Sequence, residues 1–261
     1  MNFLFAFMLV SQIQVEPIVK TPNVYHRYPS IGAAFTTQDG HMFTSIGKRF
    51  VLGNILDDSL KVQVGVDVNA WNTLNRIESD RFKLMFSDFL IAVPVMLKYG
   101  DLSAEIKFSH ISSHLGDGLF ELATLAGLEP RIYSKDFLTA YLGYDMKFDN
   151  FSVREYIESG YVHKMSPDSL EKLILNFGGD VKFFVRKSVT YIAYPYFAYD
   201  LSLNKSKGLD SRFNSTFQVG IALSNLLNNL RLAFIAYNGL DHKGQLFDKR
   251  VKYYGAGIFF E

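Results

Sequence analysis

From Leu60 to Trp71 the sequence alternates residue by residue between two rows. Leu60, Val62, Val64, Val66, Val68 and Ala70 form one row; Lys61, Gln63, Gly65, Asp67, Asn69 and Trp71 form the other. Side chains that switch faces at every residue are the mark of an extended strand, so the pattern selects strand over helix. Such a strand runs about 35 Å, longer than most globular strands and enough for a tilted membrane crossing. The pattern recurs. Ala104, Ile106 and Phe108 oppose Ser103, Glu105, Lys107 and Ser109; Leu138, Ala140, Leu142, Tyr144 and Met146 oppose Thr139, Tyr141, Gly143, Asp145 and Lys147. Phe177, Gly179, Val181, Phe183 and Val185 oppose Asn176, Gly178, Asp180, Lys182 and Arg186, with Phe184 the exception; Phe217, Val219, Ile221 and Leu223 oppose Thr216, Gln218, Gly220 and Ser224. In a bilayer every backbone group needs a partner, so such strands must close on themselves.

Connections carry a second signal. Tight turns fall at Gly100-Asp101, Asp149-Asn150, Lys187-Ser188 and Leu227-Asn228-Asn229, and longer polar stretches lie near 73–82, 114–136, 164–175, 202–213 and 239–249. Short and long connections alternate as periplasmic turns and extracellular loops do. The expected fold is therefore all-β: one antiparallel transmembrane β-barrel of about 12 strands, spanning 25–261, in the outer membrane of a Gram-negative bacterium. Strand positions before Leu60 are the least defined. A soluble lipocalin-like barrel is the runner-up, but it would have about 8 strands and one ligand pocket. The longest apolar run beyond the N-terminus, Phe89-Leu-Ile-Ala-Val-Pro-Val-Met-Leu97, is too short for a helical span and contains Pro94.

Residues 1–15 read as a signal peptide with a short apolar core, Phe3 to Val10, although no Lys or Arg precedes it; a buried N-terminal strand is the alternative. The chain has no Cys, which removes disulfide frameworks and thiolate metal sites. A net charge of +1 without a basic cluster gives no footprint for nucleic acid. Lys61, Asp67, Glu105, Lys107, Asp145, Lys147, Arg154, Asp180, Lys182 and Arg186 share the polar rows with both signs interspersed. A mixed set of this kind predicts a salt-bridged lumen, whereas a selective pore needs one sign around a constriction. Aromatics make up 15% of the chain, and those near strand ends are expected to anchor the two interfaces.

One strand ends unusually, in Lys107-Phe-Ser-His-Ile-Ser-Ser-His-Leu-Gly-Asp-Gly118. Continuing the parity of Ala104, Ile106 and Phe108 puts His110, Ser112 and His114 on the lipid-facing row, where polar groups are costly at mid-bilayer and cheaper towards the rim. A His and a Ser two residues apart on that row are close enough for a hydroxyl and its base to lean together. The pair resembles the His-x-Ser of the outer-membrane phospholipase A and lipid A deacylase families. By that resemblance Ser112 is the nucleophile, His110 the base, and a third polar residue orients the base.

The string from Phe108 to Asp117 also resembles the signature of domain-of-unknown-function family 1207. So do Asp88-Phe-Leu-Ile-Ala-Val-Pro94, Arg131-Ile-Tyr-Ser-Lys-Asp136, Gly244-Gln-Leu-Phe247 and Gly255-Ala-Gly-Ile258. That resemblance implies a barrel in the outer membrane and no particular reaction. Asp136 is the first choice for the third site member, on its outward parity; Asp117 and Ser134 follow. Glu155 falls on the apolar row of Phe151, Val153 and Ile157, as a parity-shifting bulge would produce. No cofactor is expected. A metal site from His110, His114 and Asp117 would need a turn, because residues four apart on a strand lie about 13 Å apart. Three functions remain: a Ser/His lipid acyl-ester hydrolase on the outer wall, a structural or adhesive barrel presenting the 114–136 loop, and a narrow pore. The expected partners are outer-membrane lipids or lipopolysaccharide, and the barrel-assembly machinery that reads the aromatic C-terminus; oligomeric state stays open.

Overall fold

A computed structural model of the chain describes residues 16–20, 28–38, 40–57, 59–78, 81–116, 132–168, 172–183, 192–203, 213–224 and 230–260. Within them twelve strands close into an antiparallel barrel, each hydrogen-bonded to its sequence neighbours and the first to the last. They are β1 (Ile31–Thr36), β2 (Met42–Leu56), β3 (Leu60–Glu78), β4 (Arg81–Tyr99), β5 (Leu102–Leu115) and β6 (Tyr133–Lys147). The circuit continues through β7 (Phe151–Ser166), β8 (Leu173–Phe183), β9 (Ile192–Leu203), β10 (Phe213–Ser224), β11 (Leu230–Leu240) and β12 (Arg250–Phe260). Closure leaves no unpaired edge, as hydrocarbon demands. The helical element among the described residues is one 3-10 turn, Gly244–Leu246, and no helix is long and apolar enough to cross a membrane.

The rows fall on the predicted sides. Ile106, Phe108, Leu138, Leu142, Phe177, Phe217, Val219 and Ile221 are exposed on the outer wall, while Gln63, Asp67, Glu105, Lys107, Thr139, Asn176 and Gln218 are buried inside. An apolar exterior around a polar interior is the inverse of a soluble barrel, so the lipocalin-like alternative is excluded. The short connections at 57–59, 100–101 and 148–150 lie at one end of the barrel, with the start of β1 and the end of β12, and tight turns of this kind mark the periplasmic side. At the other end β3 and β4 run on to Glu78 and from Arg81, where the sequence suggested a loop over 73–82. The turns expected at 187–188 and 227–229, Phe184, Val185 and Arg186, and the signal peptide at 1–15 lie outside the described residues.

The lumen is filled from three sources. Arg49 forks onto Asp67 (Nε–Oδ1 2.6 Å, Nη2–Oδ2 2.7 Å) and reaches Glu105 Oε2 with Nη1 at 2.6 Å; Lys107 closes the set 3.2 Å from Glu105 Oε1. A second pair joins Arg154 to Asp145 at 2.7 Å. Much of the inward surface from β9 round to β2 is apolar: Ala34, Phe43, Tyr196, Ala198, Ile235, Tyr237, Tyr253 and Phe259 pack inward, with Asp200, Gln218 and Arg231 also buried on these strands. Several aromatics that composition assigned to the interfaces are thus lumen core, because an interior closed to water rewards burying large rings.

The third source is the chain's own N-terminal segment, which the sequence did not reveal as luminal. Ile18 N–H donates to Gln63 Oε1 at 2.9 Å, and Gln63 Nε2 returns a bond to the Glu16 carbonyl at 3.2 Å. Val19 is buried against Met96, Tyr141 and Tyr156. Higher in the lumen, Tyr28 donates to Glu158 Oε2 at 3.0 Å, and Lys107 Nζ sits 4.0 Å above its ring. These contacts obstruct the lumen and argue against the pore reading. In planar bilayers the intact protein is expected to show no discrete conductance steps, whereas a variant lacking residues 16–30 should show them; steps in the intact protein would contradict the blocked lumen.

Candidate active site on the outer wall

Strand β5 presents His110, Ser112 and His114 outward, since its inward residues Ser103, Glu105, Lys107, Ser109 and Ser113 are buried. Neighbouring strands complete the surroundings by register: Ser87 lies opposite His114 and Phe89 opposite Ser112 on β4; Asp136 lies opposite His110 and Ser134 opposite Ser112 on β6. Two one-residue slips flank this region. Met85 is skipped opposite Thr73 and Leu74, and His163 opposite Asp136 and Phe137. Bulges re-aim the side chains beside them. Beyond the first bulge Ser87 faces outward; beyond the second, Lys164 falls opposite Asp136.

His110 Nδ1 lies 2.5 Å from Asp136 Oδ1, with 44% of the imidazole and 29% of the carboxylate side chain exposed. Charge-assisted contacts of this length hold a ring in one orientation and fix which nitrogen carries the proton. With Nδ1 engaged, Nε2 is the nitrogen left for chemistry. Ser112 Oγ lies 3.3 Å from His114 Nε2, and among the described residues no hydrogen bond joins it to His110. The His114 ring stands edge-on to Phe89, centroids 5.7 Å apart. Of the predicted members, then, His110 and Asp136 are in contact, Ser112 and His114 are in contact, Ser134 stands beside them, and Asp117 lies outside the described residues. No group of three His, Cys, Asp or Glu placed to hold a metal occurs among the described residues.

The polar character extends sideways in a way the sequence left unread. Ser87 Oγ donates to Asn72 Oδ1 at 2.6 Å, and Asn72 Nδ2 to Thr44 Oγ1 at 3.4 Å. Asn72 continues the outward row of Val62 to Ala70, so the signal was present in parity. With Ser112, Ser134 and Asp136 these residues draw a polar belt across β2 to β6, near the extracellular rim.

The inner face of the same strand is clamped by residues 241–249, which fold into the mouth. Gln245 Nε2 donates to the Ser113 carbonyl and Gly244 N–H to Asp88 Oδ2, both at 3.0 Å. A Cβ on Gly244 would lie 2.4 Å from the Tyr133 ring and 2.6 Å from Ser113 Cβ, so only glycine permits this approach. His242 is half-buried, its Nδ1 shielded among the rings of Phe43, Tyr237 and Tyr253. Burial, then the charge of Lys243, pushes its imidazole down to about 3. The packed ring stays neutral while a released one takes a proton below about 6.5. Closure of this loop is therefore expected to weaken as pH falls from about 6.5 towards 3, read as faster amide hydrogen exchange over 241–249 after correction for intrinsic rates. His242→Phe should remove the part of that pH dependence carried by the imidazole.

Comparison with known proteins finds the same kind of barrel. The outer membrane phospholipase from Salmonella typhi superposes with a TM-score of 0.56 at 11% identity, covering 95% of this chain and 94% of its own. Outer membrane phospholipase A from Escherichia coli gives 0.56 at 11%, covering 96% and 95%. LpxR from Salmonella typhimurium gives 0.45 at 9%, covering 88% and 99%. At these identities the likeness is one of fold: the chain is an outer-membrane β-barrel. No curated protein matches it in sequence. A family model described as "Protein of unknown function (DUF1207)" matches residues 33–261.

Proposed function

The chain belongs to the DUF1207 family, and from that premise we propose that it is a serine hydrolase of lipid acyl esters, working on the outer wall at the extracellular leaflet. The observation that carries the reading is the His110–Asp136 contact one step along the strand from Ser112, on the lipid-facing side. An ionisable pair on that face is costly. With Nδ1 held by Asp136, Nε2 is the ring nitrogen left to act as a general base once Ser112 turns towards it. The outer membrane phospholipases named above are lipid-acting proteins on the same fold, in line with this reading.

In the proposed reaction, Ser112 Oγ attacks the ester carbonyl and its proton passes to His110 Nε2. The tetrahedral adduct collapses, the C–O bond to the lipid alcohol breaks, and His110 returns the proton to that alcohol. Water, deprotonated in turn by His110, attacks the acyl carbon; the bond from that carbon to Ser112 Oγ breaks as His110 returns the proton to Oγ, and the fatty acid leaves. Asp136 stabilises the imidazolium formed in each half. Ser112 must turn from His114 towards His110, a rotamer change of the kind that accompanies substrate binding. The belt of Asn72, Ser87 and Ser134 supplies hydrogen bonds for the polar part of the lipid.

The test is fatty-acid release by purified protein in vesicles of ester-linked lipids, scored by mass spectrometry. His110→Ala should lower the rate by about 10³-fold and His114→Ala by no more than about 10-fold. The reverse order would make His114 the base. No release above protein-free vesicles by the unmodified protein would remove the proposal.

A further inference from the structure

A further ionisable side chain faces lipid, at the opposite leaflet. Glu155 is on β7, between Val153 and the exposed Ile157, and its register with β8 runs unbroken from Phe151 to Tyr161. The bulge that the sequence suggested here is absent; the slip in β7 lies at His163. Glu155 therefore points outward. Register places it between Tyr144 of β6 and Gly179 of β8, and Gly179 lies opposite Tyr199 of β9. Tyr199 reaches across the glycine and donates its hydroxyl to Glu155 Oε2 at 2.5 Å. A Cβ on Gly179 would stand 2.7 Å from that same oxygen, so the missing side chain makes room for the carboxylate. Phe177 and Phe197 pack against the Tyr199 ring, with centroids 5.7 Å and 6.3 Å away.

Four residues of tilted strand put Glu155 about 10 Å above the periplasmic end of β7, at the inner edge of the apolar band. Asp136, eight residues above Tyr144 on β6, lies about 20 Å higher along the barrel axis by the same arithmetic. The two outer-wall features thus address different leaflets. A carboxylate at this depth loses hydration, and one tyrosine hydroxyl satisfies one of its oxygens. No salt bridge to Glu155 occurs among the described residues, and the adjacent Arg154 is bonded to Asp145 in the lumen.

We propose that Glu155, with Tyr199 and the aromatic surface around Gly179, binds the ammonium group of an amine-bearing phospholipid in the periplasmic leaflet. An ammonium brings three donors and a full positive charge, which complement the remaining carboxylate oxygen. Ring faces alongside favour an organic cation that has shed water. A phospholipid delivers that group at the depth of the band edge, where a carboxylate on a short stem can meet it.

The experiment reconstitutes the full chain in vesicles of equal phosphatidylethanolamine and phosphatidylglycerol, then counts retained lipids by native mass spectrometry. The unmodified protein should retain the amine lipid in about fivefold excess; Glu155→Gln should bring the ratio to about one, and Tyr199→Phe to an intermediate value. Heat-modifiability on gels confirms that each variant is folded. Two findings would overturn the proposal: equal retention by the unmodified protein, or an unchanged excess in Glu155→Gln. A cross-linked dimer lost in Glu155→Gln would also overturn it, by assigning the carboxylate to a second copy, which could bring the outward-facing Lys48.

Discussion

Ser112→Ala is expected to bring fatty-acid release to the protein-free background, a fall of at least about 10³-fold, while the barrel still shows its heat-dependent gel shift. The size follows from the covalent step: without Oγ no acyl-enzyme forms, and water cannot use a base poised for a side chain fixed on the strand. Folding should be untouched, because Ser112 lies on the outer wall and among the described residues its side chain makes one exposed 3.3 Å contact, to His114. Asp136→Asn separates orientation from charge. It keeps a partner for His110 yet removes the carboxylate that stabilises imidazolium, so a loss of about 10²–10⁴-fold is expected with little change in apparent lipid affinity. Equal rates for Ser112→Ala and the unmodified protein would show that any release arises elsewhere.

The largest stability effect is expected from Arg49→Met. Arg49 is the cation shared by Asp67 and Glu105, and the three side chains are at most 3% exposed. Removing it leaves two buried carboxylates with Lys107 as the one remaining near cation. Breaking a buried set from one side costs about 3–5 kcal/mol. Urea unfolding in lipid vesicles should show that loss as a lower midpoint at unchanged slope. Replacing Arg49, Asp67, Glu105 and Lys107 together by apolar residues of similar volume should recover most of it, since the desolvation cost vanishes with the charges. A cost below about 1 kcal/mol for Arg49→Met would mean that water enters the lumen and screens the carboxylates.

Legibility in the sequence tracked how different the two environments of a strand are. β3 and β5 separate lipid from a charged lumen, so their alternation is plain and gave the outward parity of His110 and Ser112. β4 is apolar on both faces between Phe89 and Leu97, because Leu90, Ala92 and Met96 face a lumen that includes Val19. Its period-two signal disappears for that reason. Inward Tyr196, Ile235, Tyr253 and Phe259 blur β9, β11 and β12 in the same way. Asn72 and Ser87 escaped notice because the strands continue past a stretch whose polarity suggested a loop, and because a bulge resets parity between Leu84 and Ser87. The choice of Asp136 over its rivals rested on parity alone, and register brought it opposite His110. Nothing local announces that Asp241, Lys243, Gly244, Gln245 and Phe247 are buried. Their polar composition describes a loop equally well, and their partners Asp88 and Ser113 are far away in sequence.

The N-terminal segment inside the barrel has a kinetic consequence. With the bore occupied by Ile18, Val19 and Tyr28, no route through the barrel serves the site, and on the proposed reading a lipid meets the outer wall by travelling within the plane of the leaflet. Encounter is then two-dimensional, and the governing concentration is the mole fraction of a lipid among its neighbours. Diluting a reactive lipid with inert ones should slow turnover at constant total amount, whereas adding more vesicles of the same composition should not. Products leave by the same lateral route, so their build-up in the surrounding annulus would set the steady rate.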